Sequence, residues 1–191
     1  MKTLELFANS ANLMSVILAR KNNHNTWWIG IFGCVLYSIL FFDVKLYADV
    51  ILQFFFIGIS LYGWWNWLHG GNNKKELPIS SLTKIKLLQF ALLSLSIGIA
   101  YGYLLYRLTD ASLPFMDSAV LVFSILAQFL LMSRKRENWI FWIIVNLIAI
   151  PVYLYKGLIL TAFIYMAFLF NAVWGLNTWN KLLNDHEKIS A

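Results

Sequence analysis

Residues 134–155 read RKRENWIFWIIVNLIAIPVYLY, a short basic segment followed by a long apolar run with no charge after Glu137. The hydrocarbon core of a bilayer is about 30 Å thick, and a helix needs roughly 20 residues to cross it. Lys and Arg collect on the cytoplasmic side of membrane helices. The stretch therefore predicts a membrane-spanning helix whose first residues lie at the cytoplasmic face.

The composition of the whole chain agrees with this interpretation. The chain has 191 residues, of which 60% are hydrophobic and 13% are charged, and its net charge is +6. A soluble domain has about 25% charged residues. The composition therefore excludes a disordered chain and an enzyme with a polar surface, and we expect an all-α integral membrane protein.

The sequence contains little that indicates catalysis. A single Cys excludes an internal disulfide and a metal site built from Cys, and the phosphate-loop, serine-hydrolase and zinc-protease motifs are absent. We expect no catalytic residues, no metal and no cofactor. The basic residues follow the predicted inner loops rather than one protein surface, so nucleic acid is not an expected partner.

Seven stretches are candidates for spanning helices. Six are strongly apolar, at residues 26–42, 46–68, 85–108, 114–133, 138–155 and 158–182, and a weaker one at residues 4–19 contains Asn9, Ser10, Asn12 and Ser15. With seven spans and the N-terminus outside, most of the Lys and Arg residues fall on the inner side. We therefore predict seven transmembrane helices, with the N-terminus outside and the C-terminus inside.

An internal repeat organises these helices. Shifting the chain by 112 residues aligns the first three helices with the last three. The aligned pairs include Trp27 with Trp139, Gly63 with Gly175, and Trp67 with Trp179. A single linker helix between two units of three makes the units parallel in the membrane, a 3+1+3 arrangement found in transporters. The predicted divisions are a first bundle at residues 1–68, a connector and linker helix at residues 69–112, a second bundle at residues 113–182, and a cytoplasmic tail at residues 183–191.

Polar residues inside the spans indicate a candidate binding site. Trp139, Trp142 and Asn146 share one face of the sixth helix by their spacing. Tryptophan rings can stack on a flat or cationic ring, and Asn can bind hydroxyl or carboxamide groups. Other candidates for substrate binding by helical periodicity are Gln53, Gln128, Tyr165 and Asn171. The alternative for each amide is a hydrogen bond between helices with no ligand present.

Two acidic residues and a threonine are candidates for gating or ion coupling. Asp49 and Asp117 lie near the predicted outer ends of the third and fifth helices, and Thr161 shares a face of the seventh helix with Tyr165. A carboxylate at a helix start is also favoured by the helix dipole without any further role. Most of the nine Trp residues are interpreted as an aromatic belt at the inner membrane interface, with Trp139, Trp142 and Trp174 lying deeper.

Three groups of residues together form a recognisable pattern. The first is HNTWWIGI at residues 24–31. The second comprises KLYAD at residues 45–49, LQFF at 52–55 and LYGWWNW at 61–67. The third runs from Arg136 through Trp142 to Asn146, and continues with YKGL at residues 155–158 and LTA at 160–162. With these groups the chain resembles the PnuC family of bacterial vitamin transporters.

This resemblance implies a seven-helix inner-membrane protein related in architecture to the SWEET sugar transporters. It implies facilitated diffusion of a dephosphorylated vitamin, most often nicotinamide riboside, which a cytoplasmic kinase then phosphorylates and traps. It also places Trp139, Trp142 and Asn146 in the family's binding motif. Thiamine is the alternative substrate, and a membrane subunit without a solute pathway is the alternative of another class. We expect a small-molecule vitamin, the lipid bilayer and a functionally linked kinase as partners. A homo-oligomer is compatible with the sequence.

Overall fold

The structure is a computed structural model that describes residues 2–43 and 47–190, with side chains described for residues 3–43, 50–51 and 53–185. This part of the chain forms seven α-helices and a short 3₁₀ turn at Asn72–Lys74. The helices are α1 (Lys2–Arg20), α2 (Asn25–Asp43), α3 (Tyr47–His69), α4 (Lys84–Leu108), α5 (Pro114–Met132), α6 (Asn138–Tyr155) and α7 (Ile159–Ser190). All seven predicted helices are therefore present.

Five helices in the described residues are long and apolar enough to cross a membrane. They are Asn25–Asp43, Lys84–Leu108, Pro114–Met132, Asn138–Tyr155 and Ile159–Asp185. The other two helices, α1 and α3, are not among the five. Polar residues interrupt α1, and the side chains in the first part of α3 fall largely outside the described residues.

The chain divides into two compact units. The first contains Met1–Pro78 together with Met132–Arg134, and the second contains Ile79–Leu131 and Lys135–Ala191. In the first unit α1 packs on α2 and α2 packs on α3, and in the second unit α6 packs on α7. The second unit also has an apolar core cluster, formed by Leu126, Ala127, Leu130 and Phe141.

The helix bounds repeat at the 112-residue interval found in the sequence. Both ends of α1 and α5 are related by this offset, as are the first residues of α3 and α7. The turn after α1 places Asn22 at φ 54°, and the turn after α5 places Arg134 at φ 51°. In each turn the next amide closes a Schellman-type hydrogen bond, from Asn23 N to Leu18 O at 3.0 Å and from Lys135 N to Leu130 O at 2.8 Å.

A tryptophan packed on a glycine occurs once in each unit. Trp27 contacts Gly63 and lies edge-on to Trp67, with ring centroids 5.4 Å apart. Trp139 contacts Gly175 and lies edge-on to Trp179, with centroids 5.7 Å apart. All four rings are at most 3% exposed.

The interpretation of most tryptophans as an interfacial belt is therefore wrong for Trp27, Trp67 and Trp179. Each ring packs inside its own unit because a facing glycine, or the edge of another indole, leaves room for it. Trp174 is 62% exposed on the surface of the second unit.

Candidate functional site

The candidate face of α6 is largely buried. Trp139 is 2% exposed and Asn146 is 3% exposed, while Trp142 is half-buried. The Nδ2 amide of Asn146 donates to the backbone oxygen of Trp142 at 2.7 Å, one helical turn earlier. That bond fixes the amide orientation and leaves the Oδ1 atom of Asn146 as the acceptor that a ligand could use.

The two tryptophan rings of this face have different neighbours. Trp139 packs against Gly175 and Trp179 of α7. Trp142 packs against the core cluster of the second unit, in which α5 contributes most of the side chains. The predicted face therefore exists, but each ring already has a protein surface against it. The indole Nε1 of Trp139 is buried and has no hydrogen-bond acceptor in the described part of the chain.

The other predicted site residues are distributed over both units. In the second unit, Tyr165 contacts Tyr153, with ring centroids 4.8 Å apart and the two hydroxyl oxygens 3.4 Å apart. Asn171 is 7% exposed. Gln128 on α5 and Thr161 on α7 are half-buried, and Gln53 is half-buried on α3 of the first unit. The side chain of Asp49 lies outside the described residues.

Asp117 forms an ion pair within the second unit. The Nζ atom of Lys156 lies 2.6 Å from Oδ1 and 2.8 Å from Oδ2 of Asp117, and both side chains are 30% exposed. Lys156 follows the last residue of α6, so the pair connects the first turn of α5 with the end of α6. The charge of this carboxylate is thus balanced by a cation as well as by the helix start.

The sequence analysis missed a buried arginine. Arg134 was counted among the inner-loop cations, but it is 2% exposed in the first unit. Its Nε donates to Asn22 Oδ1 at 2.9 Å, its Nη2 donates to Glu76 Oε1 at 2.7 Å, and its Nη1 donates to the backbone oxygens of Leu77 and Trp67. A guanidinium suits this environment because it spreads its charge over five donors.

A buried glutamate before α6 was also missed. Glu137 is 1% exposed, and its Oε1 accepts from Ser81 Oγ at 2.7 Å and from Arg136 Nε at 3.1 Å. Its Oε2 accepts from Leu82 N at 3.0 Å. The available signal was its position, since it is an acidic residue between a basic run and an apolar helix. Glu137 ties the segment before α4 to the start of the helix that carries the candidate site.

A comparison with protein-family models matches residues 2–181 to the nicotinamide mononucleotide transporter family. The chain belongs to this family. It is thus a multi-pass inner-membrane protein of a transporter family, and its resemblance to PnuC proteins is confirmed. The match includes α1 and extends into α7, so it covers both units.

Named relatives cover most of the chain. The nicotinamide riboside transporter PnuC of Escherichia coli is 28% identical over 92% of this chain and 84% of its own length. That of Neisseria mucosa is 26% identical over 91% of this chain and 70% of its own. A riboflavin/roseoflavin transporter of Streptomyces davaonensis, RibM, is 22% identical over 92% and 83%. The crystal structure of a vitamin B3 transporter PnuC is similar with a TM-score of 0.72 and 26% identity, over 96% of this chain and 83% of that one.

Proposed function

We propose that the protein mediates facilitated diffusion of nicotinamide riboside across the inner membrane. The observation that carries this proposal is the α6 face, where the Nδ2 group of the buried Asn146 donates to the backbone oxygen of Trp142, one turn earlier, and leaves the Oδ1 atom as the acceptor for a solute. Nicotinamide riboside has a flat cationic ring, a carboxamide and a ribose. An indole can attract the cationic ring and the amide oxygen can accept from the carboxamide or a hydroxyl group.

The remaining predicted residues would complete the binding site. Gln128, Tyr165 and Asn171 would contribute polar groups from α5 and α7 of the second unit. Gln53, on α3 of the first unit, stays a predicted substrate-binding residue. Their support is helical spacing within a membrane-embedded chain, in which a polar side chain is costly unless it faces a partner or water. Trp139 would act by holding the position of α6 against α7, as its contacts with Gly175 indicate.

The proposed topology is a 3+1+3 arrangement with the N-terminus outside and the C-terminus inside. Helix bounds that recur every 112 residues support two three-helix units joined by α4. The basic residues of the connections after α3 and after α5 support the orientation. In such an arrangement the rocking of two parallel units can expose a site to one side at a time.

Uptake by purified protein in liposomes tests the binding residues. We expect saturable uptake of nicotinamide riboside by the unchanged protein and a loss of about tenfold or more in Asn146→Leu, because the change removes a buried hydrogen-bond partner of the solute. Trp142→Ala should also impair uptake. Leu147→Ala is the control, since Leu147 is adjacent on α6 and 56% exposed. Normal uptake in both Asn146→Leu and Trp142→Ala would reject this site.

Transport without ion coupling is the second part of the proposal. The paired state of Asp117 supports a structural role for this carboxylate. Uptake should therefore be independent of a pH gradient and retained in Asp117→Asn and Asp49→Asn. Thr161→Val should likewise keep uptake, and a loss of uptake in this variant would assign Thr161 to a gate. A cognate kinase enclosed in the liposomes should increase accumulation by trapping the phosphorylated product.

A flavin is the second candidate solute, because one relative is named a riboflavin/roseoflavin transporter. Thiamine also presents a flat ring and a cation, so the aromatic residues alone do not exclude it. Competition for nicotinamide riboside uptake by riboflavin and by thiamine separates the three. Our proposal predicts that an excess of unlabelled nicotinamide riboside inhibits uptake and that riboflavin and thiamine do not. Absence of uptake of all three would favour a subunit without a solute pathway.

A further inference from the structure

One face of α1 carries three polar side chains. Glu5, Asn9 and Asn12 are spaced four and three residues apart, which places them one above another on the same side of a helix. Glu5 and Asn9 are exposed and Asn12 is half-buried. This face of the first unit is therefore polar over about two helical turns, and it is exposed at Glu5 and Asn9.

The polar face continues onto α2. The hydroxyl group of Tyr37 donates to Asn9 Oδ1 at 2.7 Å. Asn12 Oδ1 lies directly against Gly33, where an added Cβ would come within 2.6 Å of it. We call the set Glu5, Asn9, Asn12 and Tyr37 the α1–α2 polar face.

One other polar residue of α1, Ser15, is accounted for by packing. Ser15 Oγ donates to the backbone oxygen of Thr26 at 2.8 Å, and Thr26 Oγ1 donates to the backbone oxygen of Ser15 at 2.8 Å. This reciprocal pair is the interhelical bonding expected of hydroxyl groups in a membrane. Asn9 and Glu5 differ from Ser15 because they are exposed.

The second unit repeats this face only in part. At the 112-residue offset Asn12 corresponds to Ser124, but the position of Asn9 is taken by Leu121, an apolar residue that is 44% exposed. Glu5 corresponds to Asp117, which is balanced by Lys156. Within the described residues, Glu5 has no cation at ion-pair distance. The repeat therefore does not require the amide of Asn9 or the unpaired charge of Glu5, and a cause specific to the first unit is needed for them.

Exposed polar residues on a membrane helix are costly when they face lipid. Polar side chains within a membrane helix therefore face a water-filled cavity or a partner, and Asn9 and Asn12 lie beyond the first turn of α1 that contains Glu5. The solute in this family must cross the membrane through water-accessible surfaces. We propose that the α1–α2 polar face lines the solute path and binds the hydroxyl-bearing part of the solute, an inference that rests on the proposed transport function.

The chemistry of the polar face suits a sugar. The amides of Asn9 and Asn12 can donate and accept, Glu5 can accept two hydroxyl groups, and Tyr37 can do either. A ribose has several hydroxyl groups that need both kinds of partner.

Cysteine accessibility tests this inference directly. Cys34 is the only cysteine, so Cys34→Ala provides a cysteine-free parent. In that background Asn9→Cys and Asn12→Cys are compared with Phe7→Cys and Met14→Cys, since Phe7 and Met14 are exposed on another side of α1. The probe is a membrane-impermeant trimethylammonium methanethiosulfonate, applied to protein in liposomes.

We expect Asn9→Cys and Asn12→Cys to react about tenfold faster or more than the two controls, because a thiol in hydrocarbon has a raised pKa and little reactive thiolate. Nicotinamide riboside should slow this reaction, and nicotinamide, which lacks the ribose, should not. Reaction as slow as that of Met14→Cys would overturn the inference, and so would a fast reaction that nicotinamide riboside does not slow.

Two further measurements keep the outcomes separate. Binding of nicotinamide riboside to the cysteine-free parent is measured first, so failure of the proposed function is seen before any polar-face variant is compared. Tyr37→Phe removes only one hydroxyl group and should raise the KM for uptake about two- to tenfold. An unchanged KM in Tyr37→Phe and in Asn9→Leu would contradict contact with the solute.

Discussion

The guanidinium carbon of Arg134 lies 4.6 Å from the centre of the Trp67 ring, and both side chains are buried in the first unit. Trp67 in turn lies edge-on to Trp27. A cation over an indole face is attracted by the ring quadrupole, and the attraction is greater when water is excluded. Arg134 therefore combines this contact with hydrogen bonds to Asn22, Glu76 and the end of α3.

Arg134→Ala should lower the free energy of unfolding by about 3–5 kcal/mol, because it leaves several buried acceptors without a donor. The stability of Arg134→Lys should lie between that of the unchanged protein and that of Arg134→Ala, since a single ammonium group cannot reach all of these acceptors. The measurement is thermal unfolding in detergent. Arg107→Ala is the control, because Arg107 is exposed and lies 5.9 Å from the Tyr103 ring. Equal effects at both positions would contradict the structural role of Arg134.

Gly63→Ala and Gly175→Ala should each destabilise the protein by about 1–3 kcal/mol, the usual cost of overpacking a tight core. The added methyl group would lie 2.6 Å from the ring of Trp27 or Trp139. Gly58→Ala is the matched control within α3, since nothing lies within 4 Å of its Cβ position. It should be neutral or stabilising, because alanine favours a helix by up to about 1 kcal/mol over glycine. Thermal unfolding of the three variants checks this order, and a loss in Gly58→Ala alone would contradict it.

Glu137→Gln should destabilise the second unit by about 1–3 kcal/mol. The side-chain amide nitrogen of Gln is a donor, so it would face a hydrogen-bond donor that now donates to a carboxylate oxygen. The donors are Ser81 Oγ, Leu82 N and Arg136 Nε. Asp110→Asn makes the same charge change at an exposed residue between α4 and α5 and should have little effect. Unfolding followed by tryptophan fluorescence compares the two. A Glu137→Gln protein as stable as Asp110→Asn would show that the buried carboxylate is not needed.

Much of the architecture could be predicted from the sequence. Apolar runs of sufficient length specify helices, and a helix ends where the run meets polar residues or a turn residue in the left-handed region, such as Asn22. The structure also repeats at the 112-residue offset found in the sequence, since Trp27 and Trp139 have the same local environment in their own units. Periodicity correctly placed Asn146 and Trp139 on a buried part of α6.

The rest depended on contacts that no local pattern contains. In the sequence, Arg134 cannot be distinguished from an ordinary cation of an inner loop. Its burial depends on acceptors about 57 and 112 positions away in the chain. The belt interpretation failed for Trp67 and Trp179 because, by sequence, a tryptophan near a helix end suits the membrane interface and packing against another indole equally well. The packing of Trp142 on the core cluster could not be predicted, because it requires the position of α5.

Isothermal titration calorimetry of the purified protein with nicotinamide riboside is the most direct test of the central claim. We predict saturable binding to the unchanged protein, strongly weakened binding in Asn146→Leu and Trp142→Ala, and unchanged binding in Leu147→Ala. Riboflavin and thiamine titrated under the same conditions should bind more weakly. Binding of riboflavin or thiamine in preference to nicotinamide riboside, or full retention of nicotinamide riboside binding in Asn146→Leu and Trp142→Ala, would contradict the account.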